Sequence, residues 1–231
     1  MLARLNRPVK IVLAVIGSLI VLAGVGYYAM GSYADSENAA AARPLSQDSG
    51  RAARGPAPAI DGRWSTHTGS TAGYRVREAL HGKNVTVVGR TDHVDGHAVA
   101  SGSTVRHARL SVTLAAVHTN SKARDAYFRS QVINVDKHPR ATFTLTEPIN
   151  VGGLATHTGQ RTVTAHGQLQ LNGTRHAVTA EMHVVRKADS VTVSGAIPVT
   201  WTDYDVAPPN LGFVQVTDRG QVEFRAVLTK N

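Results

Sequence analysis

The chain has 231 residues, no cysteine and a formal charge of +9, from 25 basic and 16 acidic side chains. The absence of cysteine excludes disulfide scaffolds, thiol catalysis, Cys-containing zinc sites and lipidation at an N-terminal cysteine. The basic surplus invites a nucleic-acid reading, but Arg63, Arg75, Arg77, Arg90, Arg106 and Arg109 are scattered singly, with no basic stripe interleaved with aromatics. No nucleic-acid partner is expected, and the positive surface is better suited to anionic lipid.

Residues 1–10 form a basic tail carrying Arg4, Arg7 and Lys10, and residues 11–33 carry no charge. The apolar core Val9–Tyr28 matches the roughly 20 residues that a helix needs to span a bilayer. This predicts a transmembrane signal-anchor helix over 11–33. Basic residues stay on the cytoplasmic side, so the C-terminal part is expected outside the cytoplasm, attached to the cell membrane by a single pass. Tyr27, Tyr28 and Tyr33 fall where interfacial aromatics belong. The alternative is a cleaved secretory signal ending at Ser32-Tyr33-Ala34, but the apolar run exceeds the usual length of such a region, about 7–15 residues.

Residues 34–60 are Ala, Ser, Pro, Gly and charges, with Leu45 the only bulky apolar side chain before Ile60. Such a composition buries too little surface to order itself. A flexible coil of that length spans roughly 30 Å. The expectation is a disordered linker, followed by one domain over 61–231 with a core large enough to need no staple.

The domain is written in period two. Val163, Ala165, Gly167, Leu169 and Leu171 share one face, and Thr164, His166, Gln168 and Gln170 the other, as in a strand with one dry face. Trp64 opens a short strand, and strands are predicted over Ala72–Leu80, Val85–Thr91 and His97–Ser101. Asp95-Gly96 reads as a tight hairpin turn before the last of these. A long strand follows from Thr104 to Val117, then one helix over Ser121–Ser130 capped by Asn120 or Ser121. Strands over Ala141–Ile149, Arg161–Leu171, Arg175–Arg186, Ser190–Trp201 and Phe213–Leu228 complete the set.

So many antiparallel strands must bring their apolar faces together in a sandwich or closed barrel. By alternation the inward set includes Tyr74, Val76, Leu110, Val112, Leu114, Phe143 and Leu145. It continues with Leu169, Met182, Val193, Ile197, Phe224 and Leu228. These thirteen are the candidate ligand-binding residues. The small inward residues Ala165, Gly167, Ala180, Gly195 and Ala226 leave space that close-packed interiors normally avoid.

Several short strings resemble the YceI-like family. They are Gly73-Tyr74-Arg75-Val76-Arg77-Glu78, Val88-Gly89-Arg90-Thr91, Arg124-Asp125 and His138-Pro139-Arg140-Ala141-Thr142-Phe143. Further on come Gly167-Gln168-Leu169, Leu171-Asn172-Gly173-Thr174-Arg175, Asp203-Tyr204 and Pro208-Pro209. Together they cover residues 61–230. The resemblance implies an all-β fold, a lipocalin-like antiparallel barrel with one short helix. It also implies a lumen that binds a polyisoprenoid-like or other amphipathic lipid, export, and no catalysis. Two departures stand out: the turn at Asn172-Gly173 is one residue short of the family pattern, and Asp205 replaces a glycine after Asp203-Tyr204.

Residue chemistry points the same way. Asp92, His93, Asp95 and His97 flank a turn and read as solvated, and the remaining histidines fall on polar faces or in loops; no metal site or cofactor is expected. Nucleophile motifs and phosphate-cradling glycine loops are absent. Arg124-Asp125 reads as a helix N-terminus favoured by the dipole, with Arg124 a candidate for a polar ligand head. Asp203 and Asp205 are a carboxylate pair more simply explained by turn chemistry. The rival to a lipid container is a surface interaction domain with a packed core; a hydrolase built on Asp203 and Asp205 is the third alternative.

Overall fold

The computed structural model describes residues 31, 32, 34–38, 41, 43–47, 50–80, 82–212 and 214–231. The basic tail and nearly all of the expected anchor, 11–33, lie outside the described residues. Among the described residues no helix is long and apolar enough to cross a membrane.

Twelve strands follow in order. They are β1 (Gly55–Pro56), β2 (Gly62–Thr66), β3 (Thr71–Leu80), β4 (Lys83–Thr91), β5 (Val94–Ser101), β6 (Thr104–Thr113), β7 (Arg140–Leu145), β8 (Ile149–Asn150), β9 (His157–Leu171), β10 (Thr174–Arg186), β11 (Ser190–Thr200) and β12 (Val214–Lys230). All pairings are antiparallel. β2–β3 and β4–β5 act as two long bent staves of one hairpin, and with β6, β7, β9, β10, β11 and β12 they make an eight-staved barrel. β12 closes the ring, pairing β11 on one edge and β2 and β3 on the other.

The alternation in β9 is visible as strictly alternating burial from Val163 to Leu169. The hairpin expected at Asp95-Gly96 is not formed, and both residues lie inside β5. Gly96 serves a close approach instead: a Cβ there would stand 2.7 Å from the carbonyl oxygen of Arg109, while Gly96 N–H donates to Thr66 Oγ1 at 2.9 Å. The strand expected to reach Val117 ends at Thr113 and turns into a 3-10 segment, Leu114–Ala116. The helix expected after the long strand, α1, is shorter than expected (Lys122–Tyr127) and runs into a π turn, Phe128–Val132. Ser121 is its cap, the hydroxyl accepting from Arg124 N–H at 3.3 Å.

The barrel has two unlike ends. At the base, the start of β9, the ends of β10 and β12 and the 3-10 turn Gly152–Ala155 meet over a packed interior. Arg186 is 1% exposed there and donates to the carbonyls of Leu154 and Pro58. Burial lowers its pKa. Mid-barrel, the space left by small residues is filled from neighbouring strands: a Cβ on Gly167 would strike the Phe143 ring, and one on Gly195 the Phe224 ring. Those two glycines are sockets for rings and do not themselves open space.

Residues 43–47 and 50–60, expected from composition to be part of a free coil, make specific contacts along the outer wall. The 3-10 turn Leu45–Gln47 packs on β11 and β12, with Leu45 3% exposed. Ser194 Oγ donates to the Ser46 carbonyl at 3.4 Å, and Arg90 donates to the Arg43 carbonyl. Thr158 Oγ1 donates to the Ala53 carbonyl at 2.6 Å, and β1 pairs the start of β9. Hydrogen bonds to a few backbone carbonyls hold this strap where hydrophobic burial alone does not; net, each contributes about 1 kcal/mol.

Candidate functional site

The other end, the mouth, is open. A cavity of about 510 Å3 lies between β3, the end of β6, α1 with its π turn, and the segment 206–216. Its walls are almost wholly apolar, built from strand residues such as Val76 and Val222 and non-strand residues such as Phe128, Ile133 and Pro209. The size falls within the range of small-molecule sites, roughly 300–1,000 Å3.

Tyr74 forms part of the wall, its ring stacked on Phe128 at 5.5 Å and edge-on to Trp201 at 6.5 Å. Burial pushes its phenol up to about 12, opposed by the nearby Arg124 charge, so it stays protonated at any physiological pH.

Polar groups gather on the α1 side. Arg124 Nη1 donates to Asn120 Oδ1 at 2.9 Å, and Asn120 Nδ2 donates to Glu37 Oε1 at 2.7 Å. Arg124 stands 3.9 Å from Glu37. Asp125 is turned inward and structural: Thr119 N–H and Oγ1 donate to its Oδ1 at 2.8 and 2.7 Å, fixing the start of α1. Glu78 borders the cavity at 6% exposure.

Burial raises the Glu78 pKa more than Arg124 lowers it, and Glu37 adds to the rise. A carboxyl whose pKa is higher folded than unfolded favours folding below its unfolded pKa, and that contribution is lost as pH rises through the folded pKa. Glu78→Gln is therefore expected to raise the melting temperature at pH 7. The gain shrinks on acidification and vanishes below the ordinary glutamate range. Thermal scans of both proteins from pH 4 to pH 8 check this.

Of the thirteen candidate residues, the structure brings Tyr74, Val76, Val112 and Leu114 to the cavity. Leu110, Phe143, Leu145 and Leu169 do not border it; Phe143 pairs with Leu110 and Leu169 in the ladder. Met182, Ile197, Phe224 and Leu228 belong to the buried core from mid-barrel to base, with Val193 partly buried against it. Alternation missed the non-strand half of the wall. A period of two carries no signal for Val117, Ala123, Val206 or Leu211.

The sequence profile of the YceI-like domain matches residues 65–228. The chain belongs to the YceI-like family. No curated protein sequence matches it. Among solved structures it is similar to a polyisoprenoid binding domain from Saccharophagus degradans, implicated in plant cell wall breakdown. The TM-score is 0.57 at 18% identity, covering 73% of this chain and 98% of that one. It is also similar to Burkholderia cenocepacia BcnA, with a TM-score of 0.53 at 18% identity, covering 67% and 95% respectively. At these identities the likeness is one of fold.

Several YceI-like motif residues turn out to organise the wall and rim. Arg75 and Arg90 converge on Glu223, at 2.7 and 3.6 Å. Gly73 lies between Glu223 and Arg90 in the ladder, where a Cβ would fall 1.9 Å from the Gly89 carbonyl oxygen. The turn one residue short of the family pattern is a two-residue hairpin, Asn172 at φ 50° and Gly173 at φ 86°, the combination that matches strand twist. Asp205, in place of the family's glycine, sits at φ 55°. It tolerates that conformation with its carboxylate accepting from Thr174 Oγ1 at 2.7 Å.

The Asp203 carbonyl accepts from His176 Nε2 at 2.7 Å while Asp205 serves the turn. Asp92 and His93 face solvent, and Asp95 pairs with Arg140 at 3.2 Å. Among the described residues no His, Asp and Glu trio converges as a metal site.

Proposed function

We propose that this chain is an extracytoplasmic, membrane-tethered binding protein that holds a polyisoprenoid-like or other amphipathic lipid at the mouth of its barrel. The observation that carries the reading is the 510 Å3 apolar cavity at one end of a barrel otherwise packed. Burial of hydrocarbon contributes about 25 cal/mol per Å2, and the charged groups gathered around Arg124 provide a place for a polar head. The polyisoprenoid-binding description of the related Saccharophagus degradans domain and family membership support the ligand class. The charge asymmetry around the apolar run supports export and tethering. The action is sequestration without turnover.

The packed base limits how much chain fits. A short tail is enclosed, and a longer one leaves through the mouth. Native mass spectrometry of the protein as isolated, with organic extraction of the same sample, tests the reading. One amphipathic lipid per chain is the expected result. A uniformly empty protein overturns it and leaves the packed-core interaction domain as the better account.

A further inference from the structure

We infer that the mouth is a bilayer-docking face, so that the cavity takes lipid from the membrane surface itself and not from solution. The inference rests on the lipid-binding reading above and on the apolar run as an anchor. Three observations carry it.

The first is where the chain joins the barrel. Asn38 clamps the free edge of β4, its Nδ2 donating to the Asn84 carbonyl at 2.9 Å and its Oδ1 accepting from Thr86 N–H at 2.8 Å. Glu37 pairs with Asn120 and Arg124 beside α1, and Ala34 is 4% exposed against the core. These attachments are all at the mouth, since Arg124 and the β4 residue Val87 border the cavity.

The second is chain length. The apolar run ends at Tyr28, and six peptide steps to Ala34 reach no further than about 22 Å in any conformation. A run embedded in a membrane therefore holds the mouth within that distance of the lipid. A barrel swinging on a coil of 27 residues has no such restriction.

The third is the surface itself. Among the described residues the exposed large hydrophobic side chains are Tyr127 and Leu211, at 38% and 51%, and both border the cavity. Single exposed apolar residues are ordinary. Two flanking the opening that faces the anchor form a contact suited to the interface of a bilayer, where an aromatic with a polar tip belongs.

A chain without cysteine allows a direct test. Leu211→Cys, Tyr127→Cys and Ala188→Cys, the last in the β10–β11 turn at the base, are each labelled with bimane in the full chain. They are reconstituted in vesicles of equal parts phosphatidylcholine and phosphatidylglycerol containing spin-labelled lipid. Docking predicts at least threefold stronger quenching at residues 127 and 211 than at 188. It also predicts that Glu37→Ala with Asn38→Ala removes most of that difference. Equal quenching at all three sites, or failure of the full chain to float with the vesicles, overturns the proposal. Extraction of lipid from the same preparations separates the two readings: retained lipid without preferential quenching overturns docking alone, and preferential quenching with no lipid in the cavity overturns the binding reading.

Discussion

Val112→Trp is expected to strip the protein of its lipid while leaving the barrel folded. Val112 borders the cavity, with Val94 and Ala141 as its ladder partners, and an indole there occupies space now empty. The lipid-to-protein ratio measured by native mass spectrometry should fall at least tenfold, with a melting temperature within a few degrees of the parent. Leu169→Trp and Phe224→Trp behave oppositely. Both sites are in the packed interior, 2% and 7% exposed, and overpacking such positions costs about 1–3 kcal/mol or more. Loss of folding without selective loss of lipid is their expected signature. If Val112→Trp unfolds the chain while the two interior variants merely lose lipid, the container is in the wrong half of the barrel.

The second large effect is on stability. Glu223 lies in the outward-facing row of β12, yet it is 1% exposed. It is held by Arg75 Nε at 2.7 Å, faced by Arg90, and roofed by the segment that carries Leu45. Removing one partner of a buried ion pair costs about 3–5 kcal/mol when the other charge is stranded. Here the arginines keep about one-fifth of their side-chain surface in water, so Glu223→Ala is expected at or below the bottom of that range. At about 2–4 °C per kcal/mol for a domain of this size, the melting temperature should drop by roughly 5–12 °C. Glu223→Gln, which keeps the shape, should fall between the two. A change under one degree for the alanine variant means the cluster contributes nothing net.

The staves were legible because alternation is a local property of a sheet with one wet face, and β9, β10 and β12 write it out over many residues. The same logic failed wherever something covers the outer face. Glu223 and Ser194 are outward by pattern and buried in fact, because a segment too polar to look ordered is laid over them. It failed again at Gly96, where an Asp-Gly pair looks like a turn but the glycine admits a neighbouring backbone. Family resemblance located Arg75 and Arg90 without revealing that they serve the wall. The cavity itself was partly visible: alternation found the strand residues Tyr74, Val76 and Val112, and Leu114 just past the end of β6. Much of the remainder comes from α1, its π turn and a proline-rich loop, whose positions depend on long-range packing.

The strand that shuts the ring, β12, is also the last strand of the barrel in chain order. Leu228 lies opposite Thr66 and Phe224 opposite Ala72, so the two seams join the ends of the domain. Contacts this distant in sequence make folding slow, and a chain emerging N-terminus first cannot lock until β12 is free to pair. Until then it is a curled sheet with two raw edges, the form most exposed to edge-to-edge aggregation. Loss of the half of β12 that carries Phe224 and Leu228 would make that state permanent.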